Sequence, residues 1–301
     1  MIAAAAVLLA WALDAAFGEP RSAWHPVAWF GRSMAPLGQR LTALGPRLAF
    51  AAGAAAWIAA VGAAALAAWA LQGWIATLPP WLAVPLLALA LKPAFAWRML
   101  KDEVRAVEAA LGESLDAGRR QLSRLCSRDV APLDAAAVRE TAIESLAENF
   151  NDSLVAPLFW FVIAGLPGAW VWRAANTLDA MWGYRGRWEW AGKCAARADD
   201  ALAWAPARIA AALLWRPSIG WAALRREARR TPSPNGGWPM AALALRLGVR
   251  LGKPGVYVLN AAAPAPGGAA PALALRTAER AARAAFLLAA AVLLLTPIIN
   301  A

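Results

Sequence analysis

Long apolar runs separated by short polar breaks set out this chain. Met1 to Phe17 is apolar except for Asp14, and Gly18-Glu19-Pro20-Arg21 ends the run. A short loop, Ala23-Trp24-His25-Pro26-Val27, leads to Arg32, Arg40 and Arg47. Leu48 to Ala76 exceeds the roughly 20 residues that a helix needs to cross a bilayer. Thr77-Leu78-Pro79-Pro80 is an uncharged turn, and Trp81 to Trp97 is a second long run, interrupted late by Lys92-Pro93. Leu154 to Ala175 and Ala284 to Ile299 complete the set. Residues 98–153 differ: Val104, Val107, Ala110 and Leu111 recur at helical spacing, as do Leu115, Leu122 and Leu125. That pattern predicts an amphipathic helical segment. Pro132-Leu133-Asp134 marks a helix start within it, with Asp134 as N-cap. The expected fold is all-α: a polytopic integral membrane helical protein with re-entrant or interfacial helices and a helical cytoplasmic segment. A single membrane-embedded domain over residues 1–301 is expected.

The third run carries Gly165-Leu166-Pro167-Gly168 in its middle, a turn signal. Positively charged loops favour the cytoplasm. With the loop of Arg21, Arg32, Arg40 and Arg47 inside, the N-terminus is outside and residues 98–153 are cytoplasmic. A full crossing at 154–175 would put Arg185, Arg187, Lys193 and Arg197 outside, whereas a re-entrant hairpin at Gly165 to Gly168 keeps them inside. The hairpin is therefore expected. Ala201 to Leu224 is apolar but carries Arg208, Arg216 and Pro217, which suits a second hairpin or an interfacial helix. Arg225, Arg226, Arg229 and Arg230 follow, then a turn-rich loop from Thr231 to Met240 and a linker from Ala261 to Pro271. Residues 225–283 are expected to be a basic cytoplasmic loop region.

The polar segment ends in an acidic ridge. Glu140, Glu144, Glu148 and Asp152 stand four residues apart, so on a helix they line one side. Ile143, Leu146, Phe150 and Leu154 line another. Adjacent like charges cost a helix roughly 0.2–0.5 kcal/mol per pair. A cation, arginines from elsewhere or water must offset that cost. The ridge is either a solvated face outside a membrane span or a metal or metal-nucleotide site at the membrane surface.

Composition sharpens this picture. Of 301 residues 61% are hydrophobic and 16% charged, against about a quarter charged in a soluble domain, which agrees with a membrane protein. Net charge is zero over residues 1–152 and +11 over the remainder. A basic half points first to anionic lipid and then to phosphate-bearing substrates. Nucleic acid is not expected as a partner, because the arginines are scattered through apolar sequence. With two cysteines and one histidine, the chain cannot build a disulfide framework or a His/Cys zinc cluster alone. Hard-cation chemistry through carboxylates stays open.

Carboxylates recur at two further membrane boundaries: Asp179 after Asn176, and Asp199-Asp200 after Arg197. Ionisable groups at such edges are functional candidates. Each alone also reads as a helix cap or an arginine partner. Ser233-Pro234-Asn235-Gly236-Gly237 offers backbone N–H groups to a phosphate, or is an ordinary loop. His25 reads as a general base, a substrate contact or a hydrogen-bonded structural residue. P-loop, Rossmann, H-E-x-x-H and G-x-S-x-G patterns are absent from the sequence.

These motifs together resemble the CobD/CbiB family of cobalamin biosynthesis, the adenosylcobinamide-phosphate synthases. The match runs through Leu13-Asp14, Gly18-Glu19-Pro20, His25-Pro26-Val27 and Gly31-Arg32. It continues in Glu144-Ser145-Leu146-Ala147-Glu148-Asn149 with Asp152, and in Ala156-Pro157-Leu158-Phe159-Trp160. Asn176-Thr177-Leu178-Asp179 with Gly183-Tyr184, Ala196-Arg197 with Asp199-Asp200, and Ser233-Pro234-Asn235 with Gly237-Trp238-Pro239-Met240 extend it. Two positions depart: Glu19 stands where the family usually has Asp, and Thr231 where it usually has His, so a titrating group is lost at 231.

The resemblance implies a multi-pass protein of the bacterial inner membrane. It implies an amide-forming ligase that joins adenosylcobyric acid to (R)-1-amino-2-propanol O-phosphate, with ATP as co-substrate and Mg²⁺ as cofactor. A corrinoid, aminopropanol phosphate, the lipid bilayer and other membrane enzymes of cobalamin assembly are the implied partners. Activating a carboxylate needs Mg²⁺ on polyphosphate, for which Glu144, Glu148, Asp152, Asp179, Asp199 and Asp200 are candidate ligands. Glu144, Glu148, Asp152 and His25 are the candidate catalytic groups. Arg185, Lys193, Arg197, Asn149, Asn176, Ser233, Asn235 and Gly237 are candidate substrate or phosphate contacts. Two rivals come from other classes. A Mg²⁺-dependent intramembrane prenyl- or alcohol-phosphate transferase would carry Asp-x-x-Asp patterns, which are missing. A non-enzymatic membrane subunit or transporter would place charges inside its spans.

Overall fold

The computed structural model describes residues 1–295. The chain divides into two compact units. The first comprises residues 1–96, 156–203 and the C-terminal stretch from Phe286; the second comprises residues 97–155 and 204–285.

Unit one opens with α1 (Ile2–Phe17), followed by α2 (Pro26–Leu41). Sequence reading left α2 as a loop. Its start is nevertheless encoded: Pro26 fills the first turn, where a missing N–H costs nothing, and the His25 ring accepts from the Val27 N–H at 3.2 Å. α3 (Pro46–Ala76) and α4 (Pro80–Leu91) are the expected apolar helices. Pro93 ends the latter in a short 3₁₀ turn, Lys92–Ala94. Stretches 46–76, 80–113 and 135–182 are long and apolar enough to cross a membrane, which bears out the all-α polytopic fold.

The last of these stretches contains α8 (Ala156–Trp182), and α8 is not one straight rod. Ala164 and Gly165 leave helical geometry, Gly165 at φ 63°, ψ −152°, a region that essentially only glycine enters. The chain doubles back here. Ala156 and Trp172 share one buried cluster, although a straight helix would hold residues sixteen apart roughly 24 Å from each other. The turn expected at Gly165 to Gly168 is thus present. Gln72 of α3 fills the break: its Oε1 accepts from the Leu166 N–H at 2.6 Å, replacing the carbonyl that an unbroken helix would supply. Small side chains let α3 and α8 pack closely around Ala49, Val61, Ala174, Ala175, Leu178 and Trp182. Phe286, on α12 (Ala270–Leu295), stacks on Trp11 and meets Phe95 edge-on. The last apolar run begins helix fourteen residues earlier than expected, and its final part, from 296, lies outside the described residues.

Unit two is built on α5 (Trp97–Glu113), α6 (Leu115–Leu122) and α7 (Ala135–Phe150). α5 and α6 fold against α7 through Val107, Leu122, Leu133, Val138 and Ala142. The Asp134 carboxylate caps α7, accepting from the Ala137 N–H at 2.8 Å, as the sequence predicts. α9 (Lys193–Leu214) begins in unit one and ends in unit two. Residues 225–283, expected to be a loop region, hold much regular structure: the end of α10 (Trp221–Ala228), α11 (Gly237–Leu247) and most of α12's first half. They also hold a hairpin of β1 (Leu251–Lys253) and β2 (Tyr257–Leu259), paired Leu251 to Leu259 and Lys253 to Tyr257. Three-residue strands fall below what alternation in a sequence can resolve.

Candidate functional site

Functional candidates collect in three places, two in unit one and one in unit two. In unit one, the loop after α1 meets the end of α4. Lys92 Nζ lies 3.1 Å from Asp14 Oδ1 and also contacts Glu19. Glu19 Oε2 is 2.5 Å from His25 Nε2. All four side chains are almost excluded from solvent. Because His25 Nδ1 accepts from Val27, Nε2 carries the proton and donates to Glu19. Both ring nitrogens are therefore engaged, and the ring holds the start of α2 and orients Glu19. That is the structural alternative for His25; a base role would require breaking the Glu19 contact. Burial opposes the Glu19 charge, but hydrogen bonds from His25 and Lys92 and the positive charge of Lys92 outweigh it. Its carboxyl is held below the ordinary value. Lys92 and Asp14, each the lone charge of its kind in an apolar run, answer one another.

The second group in unit one sits at the ends of α8 and α9. Asn176 Nδ2 donates to Asp199 Oδ1 at 3.2 Å. The charges of Asp179 and Asp200 act on one another. Burial raises the Asp200 carboxyl and the nearby Arg197 guanidinium opposes that rise. Lys193 lies over the Trp190 ring at 4.0 Å and 3.4 Å from Glu189, so it is already employed. Arg185 and Arg197 are exposed.

In unit two the acidic ridge is met by arginines from other segments. Arg250, preceding β1, donates to Glu140 at 2.9 Å. Arg128, between α6 and α7, donates to Glu144 at 2.9 Å and to Thr141 at 3.0 Å. Two of the four ridge charges are thus compensated by ion pairs, one of the three offsets foreseen. The Tyr257 hydroxyl is pushed up strongly, first by burial and then by the Glu144 charge, so it stays protonated. Glu148 is exposed and faces the 233–237 loop, with its Oε1 about one contact distance, 3.2 Å, from where a Cβ on Gly236 would sit. Asp152 falls in a wide π-type turn, Asn151–Val155, a feature that often marks functional sites, and accepts from Asn151 Nδ2 at 2.8 Å. That turn takes Asp152 out of the regular spacing of the ridge. Asn149 donates to the Ser145 carbonyl and stays on its own helix.

The N–H groups of Asn235 and Gly236 both donate to Ser233 Oγ, at 3.2 and 3.0 Å, so these two are spent inside the turn rather than held for a phosphate. Asn235 Oδ1 accepts from Arg208 at 2.5 Å. Gly237 carries no side chain because the end of α10 approaches it: a Cβ would collide with the Ala228 carbonyl and the Thr231 hydroxyl. Thr231 is buried and its hydroxyl donates to the Ser233 carbonyl at 3.0 Å. It shapes the loop instead of titrating.

Among the described residues, no three or more His, Cys, Asp or Glu side chains gather in a group able to hold a metal. Glu140 and Glu144 are already neutralised by guanidinium groups and do not suit a cation. Asp179 and Asp200 suit Mg²⁺ better, because that ion is commonly held by one or two carboxylates together with substrate phosphates.

The family model described as CobD/Cbib protein matches residues 7–285. A probable cobalamin biosynthesis protein CobD of Pyrococcus abyssi is 43% identical over 258 residues, covering 83% of this chain and 84% of that protein. The cobalamin biosynthesis protein CobD of Stutzerimonas stutzeri is 41% identical over 255 residues, covering 81% and 80%. That of Rhodobacter capsulatus is 37% identical over 281 residues, covering 87% and 88%. No solved structure matches.

Proposed function

The chain belongs to the CobD/CbiB family, and from that premise we propose that it is an adenosylcobinamide-phosphate synthase acting in cobalamin biosynthesis. The observation that carries this reading is the unbroken family match from residue 7 to 285, through every charged group described above. In this reading the protein lies in the cytoplasmic membrane and joins the carboxylate of adenosylcobyric acid to the amine of (R)-1-amino-2-propanol O-phosphate. A carboxylate is a poor electrophile, so ATP activates it as an acyl phosphate with release of ADP. The amine then attacks the acyl carbon, the amide bond forms and phosphate leaves. Mg²⁺, when bound, would draw charge from the polyphosphate.

The chain's own residues take the remaining roles. Asp179 and Asp200 supply the carboxylates that would hold Mg²⁺. Glu148, the exposed member of the ridge, is the candidate to accept a proton from the amine. Arg185 and Arg197, both exposed, are the candidate cations for a substrate phosphate, although Arg197 also acts on Asp200. The ion pairs Arg128–Glu144 and Arg250–Glu140, whose carboxylates are both buried, hold α7 in place.

The test is an assay of the purified protein in detergent with adenosylcobyric acid, aminopropanol phosphate and ATP. Formation of adenosylcobinamide phosphate with one ADP per amide is the expected result. Absence of product from folded protein, or product without ATP, overturns the reading.

A further inference from the structure

Unit two contains a polar cavity, of about 550 Å³, between the end of α9, α10 and the 231–238 loop. Its size lies within the ~300–1,000 Å³ common for small-molecule sites. Three indoles line it, Trp204, Trp221 and Trp238, with three guanidinium groups, Arg208, Arg225 and Arg229, and no carboxylate. Arg208 is fixed. Its guanidinium lies over Trp204 at 4.8 Å and Trp238 at 4.9 Å, and donates to Asn235 Oδ1 and the Pro234 carbonyl. Trp238 in turn packs on Trp221 at 5.6 Å, and Trp221 remains about half exposed. The Trp238 and Trp221 planes are tilted by 40° and Trp215 meets Trp221 edge-on, so the Arg208–Trp238–Trp221 group ends in a half-exposed indole.

Arg225 and Arg229 differ from their neighbours. Arg226 and Arg230 both face Glu227, whereas Arg225 and Arg229 form no ion pair among the described residues. They stand four apart at the end of α10, where like charges repel. Two uncompensated guanidinium groups beside an open indole face match an anion that carries a flat ring. We propose that this cavity binds a nucleoside polyphosphate, with the base on Trp221 and the phosphates on Arg225 and Arg229. The identity of that nucleotide as ATP rests on the function proposed above; the site itself does not. A lipid headgroup would share the phosphate contacts but has no flat ring to lay on the half-exposed Trp221 indole.

Photolabelling of the full-length protein in detergent with 8-azido-ATP tests this, with labelled peptides mapped by mass spectrometry. Labelling within residues 204–238, protected by ATP, is expected. Tripolyphosphate and adenosine should each compete at least ~10-fold more weakly than ATP, because each makes only half of the contacts. The double variant Arg225→Gln/Arg229→Gln should lose at least ~10-fold in labelling while melting at the wild-type temperature. Labelling elsewhere in the chain overturns the proposal, and that result in wild-type protein does not depend on any variant folding. Competition by phosphatidylglycerol micelles but not by ATP also overturns it and makes the cavity a headgroup site. Amide formation from ATP with labelling elsewhere would remove this site and leave the proposed function. Labelling here without amide formation would do the reverse.

Discussion

Arg128 Nη2 rests 2.9 Å from Glu144 Oε2, with the arginine side chain 16% and the glutamate side chain 2% exposed. A carboxylate this deep survives only with a partner. Removing one member of a buried pair costs about 3–5 kcal/mol, whereas replacing both by apolar groups of similar volume can be neutral. Arg128→Met is therefore expected to destabilise unit two severely, and Arg128→Met/Glu144→Met to recover most of the loss. Denaturant unfolding of both singles and the double in micelles measures the coupling. Strictly additive losses would rule the pairing out as a stabilising device.

Glu148 separates the structural part of the ridge from its chemical part. Its side chain is exposed to solvent. Glu148→Gln should leave the melting temperature unchanged and reduce amide formation by about 10²-fold or more, the scale of a lost proton acceptor. Wild-type turnover in this variant would return the whole ridge to a structural role.

Stability should depend on pH through Glu19. Its folded carboxyl titrates below the ordinary value of 4.5, so the folded state favours the charged form. That contribution is complete above the unfolded value and is lost as pH falls through the lower folded value. Melting temperature should thus fall as pH drops below about 4.5, and Glu19→Gln should flatten that part of the curve. An unchanged profile in Glu19→Gln would mean that other carboxylates govern the acid limb.

Arg185 and Arg197 are distinguished by one conservative change. A guanidinium grips two phosphate oxygens at once and an ammonium cannot copy that fork. Arg→Lys at the phosphate ligand should raise KM for aminopropanol phosphate by ~10-fold and leave unphosphorylated aminopropanol nearly unaffected. Arg197 already acts on Asp200, so equal losses on both amines are the expected pattern if it only partners that aspartate.

Features written in short windows were legible from the sequence: the Asp134 cap, the α3 run and the chain reversal at Gly165. Each depends on residues that are neighbours in the chain. What stayed hidden depends on segments far apart. Arg250 and Glu140 are 110 residues distant, and Lys92 and Glu19 are 73 apart. No periodicity announces such a pairing, so the sequence leaves a cation, water and arginines as equal candidates to offset the ridge without naming Arg128 or Arg250. The α2 helix was missed because its glycines and Pro36 dilute the helical pattern, while its start signal, His25 before Pro26, lies outside the usual capping residues. The π-type turn at Asn151–Val155 also escapes a fixed 3.6-residue count.

Gln72 and Leu166 bear on the order in which the protein is made. The Leu166 N–H, freed where the helix breaks, is answered by an acceptor 94 residues earlier in the chain. An amide left bare in hydrocarbon costs several kcal/mol. During synthesis α3 emerges first, so the glutamine is already waiting when the reversing segment reaches the bilayer. A circular permutant that delivers α8 before α3 would have to insert that amide without its acceptor. Such a chain should accumulate misinserted and be degraded, although its finished contacts would be the same.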